Sequence, residues 1–287
     1  MVSTGLTWLV ASSAHAQFQL VGAEFRNPTF AGNTTLWDID QATGAASNPR
    51  EITADVSLGL SFGPDGRLYS FTDSFGSING VPNNGALYTI DVATGAAAPV
   101  AGNLGLDAFG EGDLDFNPLT NELFISTSSG GTTALHTVDT TTGLASTIGA
   151  MDATNASGMA FQPGSGRLFL LDTTFAFPPT TSFFYEIDPA SGATLNVVEL
   201  GVPFGTVAGM AFHPVTGELY LADGDFNGTN LLYTIDLNTF DLSVIGETVP
   251  GQPPADLGGL AGLAFIPSPG AAALFALAGC LGARRRR

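Results

Sequence analysis

Lysine is absent from this 287-residue chain: all eight basic residues are arginine, and four of them are the last four residues. The other four face 26 acidic residues. So acidic a body repels phosphate backbones and anionic lipid head groups, which sets nucleic acid aside as a partner and suits divalent cations or cationic polymers. Cysteine occurs once, as Cys280 in an apolar C-terminal stretch, so the body has neither a disulfide nor thiolate chemistry. Long amphipathic helical stretches are also missing. With 37 glycines and 44 % apolar residues, the composition calls for many short strands, tight turns and a sizeable core.

Catalytic signatures are sparse. The chain is read as carrying no nucleophile elbow, no His-Glu-x-x-His pair and no phosphate-binding glycine loop. The histidines of the body are His136 and His213. His136 occupies a repeat position that is aromatic elsewhere and reads as packing. His213, in a Phe-His-Pro turn, reads as part of a surface hairpin.

What the chain does have is repetition. Leu36-Trp37-Asp38-Ile39-Asp40 returns as Leu87-Tyr88-Thr89-Ile90-Asp91, Leu135-His136-Thr137-Val138-Asp139, Phe184-Tyr185-Glu186-Ile187-Asp188 and Leu232-Tyr233-Thr234-Ile235-Asp236, at intervals of 48 to 51 residues. A second motif alternates with it: Gly59-Leu60-Ser61-Phe62, Asp113-Leu114-Asp115-Phe116, Gly158-Met159-Ala160-Phe161, Gly209-Met210-Ala211-Phe212 and Gly262-Leu263-Ala264-Phe265. Each unit then holds two hairpins, hence four strands, which is the content of a propeller blade. The last Gly-Leu-Ala-Phe has no second strand after it, while Gln19 to Glu24 resembles a second strand without a first. The C-terminal strand therefore completes the N-terminal blade, and the expected fold is an all-β, five-bladed β-propeller with four strands per blade. Closing the ring removes exposed sheet edges. The recurrent Asp, usually followed by Thr/Ser-Gly, reads as a turn cap rather than a metal ligand.

Function in such a scaffold falls on the variable loops, which all emerge on one face. Aligning the repeats puts Glu24, Thr72, Thr127, Asp172 and Asp223 at equivalent positions where second strands end, ringing that rim. Phe75, Phe109, Phe177 and Phe226 lie in the loops around them. Asp223-x-Asp225-x-Asn227 has hard oxygens at alternate positions, as in the first half of a calcium loop, but Thr234 stands where the closing Glu belongs. The body thus reads as a non-catalytic binding or structural protein, for a polysaccharide or a surface protein, with Ca²⁺ as its one candidate cofactor. The alternative is a calcium-dependent hydrolase resembling the lactonase propellers, using rim carboxylates.

The two ends read as addresses. Residues 1–16 resemble a secretory signal peptide, with a cleavage signature at Ala14-His15-Ala16. Pro267-Ser268-Pro269, the apolar run Gly270 to Ala283 and Arg284-Arg285-Arg286-Arg287 together resemble the PEP-CTERM sorting signal, with Ser268 where Glu is usual. That resemblance covers residues 267–287 and leaves 17–266 as the propeller. It implies export in a Gram-negative bacterium, a transient inner-membrane anchor through the C-terminal helix, processing by an exosortase, and release to the cell surface or extracellular matrix, often beside exopolysaccharide.

Overall fold

The computed structural model describes residues 18–25, 32–100, 102–173, 181–205, 207–224, 230–248 and 259–268. Among them are strands and no helix. Twenty of the strands form five four-stranded antiparallel sheets, a five-bladed β-propeller. Blade 1 is ordered β22 (Leu260–Pro267), β1 (Phe18–Glu24), β2 (Thr34–Ile39), β3 (Ala46–Ile52). Blade 2 holds β4 (Ser61–Phe62), β5 (Leu68–Phe71), β8 (Leu87–Ile90) and β9 (Ala97–Pro99). Blade 3 runs β10 (Glu111–Phe116), β11 (Leu123–Ser129), β12 (Thr132–Val138), β13 (Ala145–Met151). Blade 4 runs β14 (Ala156–Phe161), β15 (Leu168–Asp172), β16 (Ser182–Ile187), β17 (Thr194–Leu200), and blade 5 β18 (Val207–Phe212), β19 (Leu219–Gly224), β20 (Leu231–Ile235), β21 (Leu242–Glu247).

The ring closes as the repeat phase requires. β22 pairs antiparallel with β1, Phe18 opposite Pro267 and Gly22 opposite Leu263, with a bulge at Ala23/Glu24. Pro267, expected to open the C-terminal tail, is thus the last residue of the closing strand.

Burial follows from sheets packed on both faces. Every residue of β15 is buried, whereas the outermost β17 buries only its last, Leu200. Neighbouring blades join through aromatic pairs set by the repeat. The inner-strand Phe of one blade packs edge-on or tilted against a second-strand ring of the blade before it. Phe116 meets Tyr69, Phe161 meets Phe124, Phe212 meets Phe169 and Phe265 meets Tyr220, with centroids 5.0–5.9 Å apart. Such pairs add about 1 kcal/mol each beyond their buried area.

The glycine of the inner-strand motif has a steric cause. A Cβ on Gly209 would stand 2.8 Å from the Gly262 carbonyl carbon, and one on Gly262 would stand 2.6 Å from that of Gly59. The inner strands approach backbone to backbone, and those of blades 4 and 1, which are not neighbours in the ring, also come into contact. The channel is closed.

The recurrent Asp is a turn cap, as the sequence suggests. The Asp40, Asp91 and Asp139 carboxylates each accept the amides two and three residues on, and these bonds help hold them below the usual carboxylate range. In four copies the turn ends on a glycine at positive φ. The fifth places Phe240 there, at φ 61°, its ring against Phe184.

Candidate functional site

Because strands alternate in direction, the links from second to third strand and from blade to blade emerge on one face, and the hairpins on the other. Loop length shapes the first face. Blade 3 joins β11 to β12 by Gly130-Gly131 alone, both at positive φ, the two-residue turn that a twisted hairpin favours. Blade 2 spans Thr72 to Ala86 between the same two strands and inserts a hairpin of β6 (Ser77–Ile78) and β7 (Val81–Pro82). Asp55 fixes its base by accepting the Ser77 amide and hydroxyl. A tall loop beside a low one leaves a cleft of about 610 Å³.

Phe75 forms one wall of that cleft, a residue 76 % exposed. It is held from below: its amide donates to Asp73 Oδ1 at 2.9 Å, the local turn that Asp favours. Ser74 next to it donates its amide to the Phe109 carbonyl, and the Phe109 amide donates to Ser74 Oγ. Phe109 itself is buried against Phe71 and reaches the cleft only at its floor. The other walls carry Glu111, Ser128, Ser129, Thr154 and Asn155. Chemically this is one exposed aromatic ring on a bonded loop, beside a carboxylate, hydroxyls and an amide.

The five aligned rim residues lie deeper than expected. Glu24, Thr72, Thr127, Asp172 and Asp223 are all buried. Their oxygens receive protein donors, which is how a polar group can be buried at all. Glu24 accepts the Trp37 indole N–H at 3.1 Å, and burial raises its pKa. Asp172 accepts the amides of Thr154 and Asn155, and Asp223 that of Gly205. Thr72 accepts the Ala86 amide. Thr127 is bonded to His136 Nε2 at 2.9 Å, and His136 Nδ1 to Thr147 at 3.0 Å. These residues tie inter-blade loops and neighbouring strands to second strands. Among the described residues no three His, Cys, Asp or Glu side chains converge as metal ligands. Phe177, Phe226, Asp225 and Asn227 lie outside the described residues, as do Ala14, Ala16, Pro269 and Arg284 to Arg287.

His213 departs from its expected surface position. It is fully buried, 4.8 Å from the Phe265 ring and 5.9 Å from Phe18, with Nδ1 accepting the Val215 and Thr216 amides. The closing strand, far away in sequence, covers it.

Two acids of the inner-strand motif in blade 3 stand out. Asp113 replaces the glycine of the other four inner strands. Its carboxylate accepts the Leu114 amide at 2.7 Å and the Met159 amide of blade 4 at 2.6 Å, and takes a further bond from Met210 of blade 5. Burial nevertheless pushes its pKa well above the carboxylate range. Asp115, two residues on, accepts the Ser61 hydroxyl and the Phe116 amide on Oδ1 and the Phe161 amide on Oδ2. The readable signal was the break in the repeat. Ser61 also sits in Gly59-Leu60-Ser61-Phe62-Gly63, which has the spacing of a nucleophile elbow. An elbow needs a strand-to-helix turn and an exposed hydroxyl, and Ser61 is buried in β4.

No family model and no curated protein matches the chain. Among solved structures it is similar to TolB from Acinetobacter baumannii (17 % identity, TM-score 0.47, covering 82 % of this chain and 54 % of TolB). It is also similar to PpgL, a periplasmic gluconolactonase from Pseudomonas aeruginosa (15 %, TM-score 0.44, 82 % and 84 %). A third is an auxiliary nutrient binding protein from Bacteroides ovatus (16 %, TM-score 0.45, 82 % and 52 %). The chain therefore spans about half the length of the first and third.

Proposed function

We propose that this chain is an exported, non-catalytic propeller that binds a polysaccharide in the cleft beside Phe75. The observation that carries the reading is that ring: large, exposed, and carried on a loop whose backbone is held by Asp73 and by the Ser74–Phe109 pair. A planar apolar face among hydroxyls and amides suits the mixed surface of a sugar ring, whose C–H groups stack while its hydroxyls bond. Pinning the loop in advance lowers the ordering cost of binding. The acidic body selects against anionic polymers, so the ligand is a neutral or amino-bearing glycan. The resemblance of the two ends to a signal peptide and a sorting signal supports export, processing by an exosortase and release to the surface, which would bring the cleft to where such polymers are.

Affinity electrophoresis of the purified chain through gels containing neutral glucans, mannans or chitosan tests this. Phe75→Ala, a change at an exposed side chain, should abolish most retardation, about a tenfold loss of affinity, at unchanged melting temperature. Equal retardation of both proteins, or none in any gel, would refute the assignment.

A further inference from the structure

On the opposite face, the closed channel ends in a basin of about 210 Å³. Its wall is the inner-strand phenylalanine of every blade: Phe62, Phe116, Phe161, Phe212 and Phe265. Four of these rings are backed by the second-strand aromatics described above, so the wall is fixed rather than collapsible. Asp115 is the one charged residue among those lining the basin.

This acid is not demanded by the fold. The equivalent positions in the other blades hold Ser61, Ala160, Ala211 and Ala264. Three donors hold the carboxylate in one orientation, as given above, with two on Oδ1 and one on Oδ2. Among the described residues no arginine pairs with it. The described arginines are engaged elsewhere, Arg50 with Asp38, Arg67 with Asp65 and Arg167 with Glu186. Lysine does not occur. Burial raises the Asp115 pKa to about 6, so near neutral pH the carboxylate is mostly ionised.

We infer that this basin binds a small organic cation, an alkylammonium group that sets its charge on Asp115 and its carbon substituents against the phenylalanine wall. Aromatic walls around an acid are a combination that recognises ammonium groups, because the ring faces and the carboxylate attract the same charge. The basin's size restricts it to a head group or a side-chain tip. A quaternary head group and a lysine-like primary amine share this chemistry and differ in shape.

The test uses the whole chain with choline, n-butylammonium and 3,3-dimethylbutan-1-ol, the uncharged isostere of choline, titrated by calorimetry in physiological salt. At least one cation should bind about tenfold more tightly than the alcohol. Tighter choline binding points to quaternary head groups, and tighter butylammonium to lysine tips. Asp115→Asn should remove that preference. Phe62→Ala, at a half-buried ring, should weaken the cation several-fold even if Asp115→Asn fails to fold. Equal binding of cation and alcohol, an unchanged affinity in both variants, or no heat with any probe up to roughly 50 mM overturns the inference. Glycan retardation by the Phe75 cleft is scored in the same variants, so failure of one site is distinguishable from failure of the other.

Discussion

Acidifying the protein tests the central placement of His136. The imidazole is buried between β11 and β13, bonded to Thr127 and Thr147, and desolvation lowers its pKa from 6.5 to about 4. Between those values the unfolded chain binds a proton that the folded chain refuses, so this residue makes stability fall as pH drops from about 6.5 towards 4. Linkage gives an upper figure of about 2 kcal/mol lost by about pH 5, and about 3 kcal/mol by about pH 4. Asp115 acts in the opposite sense: its raised pKa lets the folded state hold a proton first, so it adds stability as pH falls from about 6 to 4. The wild-type profile mixes the two, and the informative quantity is a difference between proteins. His136→Tyr places at this position the residue found at Tyr88, Tyr185 and Tyr233. Urea unfolding of both proteins at about pH 7.5 and about pH 5 should show the wild type losing roughly 2 kcal/mol more than the variant between the two conditions. The comparison ignores whatever the substitution does at neutral pH. If both proteins change equally, the histidine is not held neutral in the fold and the reasoning fails.

Two further substitutions probe the closed channel. Asp113→Gly restores the consensus of the other blades yet strips acceptors from the buried Leu114 and Met159 amides. Lost acceptors outweigh the relief of a buried carboxylate, so chemical denaturation should register a loss of about 2 kcal/mol, and a stabilised variant would contradict the assigned role. Gly209→Ala drives a methyl into the Gly262 backbone and should cost about 2 kcal/mol or more, while Gly201→Ala, in open space, should leave the melting temperature unchanged.

Much of the architecture was legible because each blade repeats the same local instructions. Leu-Tyr-x-Ile-Asp alternates for a sheet packed on both faces, and its Asp caps the turn that follows. The phase offset between Gln19–Glu24 and Gly262–Phe265 announced the closure seen as β1 on β22. Exposure was not legible in the same way. Glu24 and Asp223 align at strand ends, and alignment cannot tell whether an oxygen faces water or a loop amide. His213 sits in a turn motif, and only the distant Phe18 and Phe265 bury it. The cleft depends on a difference in height between two loops, which no repeat encodes. Asp113 and Asp115 teach the converse: where one copy breaks the pattern of the other four, the break marks a contact across the ring.

The pairing of Phe18 with Pro267 has a mechanical meaning. Whatever precedes the first strand and whatever follows the last leave the propeller side by side, from the hairpin face. A tether at either end, or at both, would therefore moor the body by that face and point the Phe75 cleft away from the attachment. Pulling on the two ends would load the seam between β1 and β22 like a zipper, so the joint that completes the ring is also the place where force would open it.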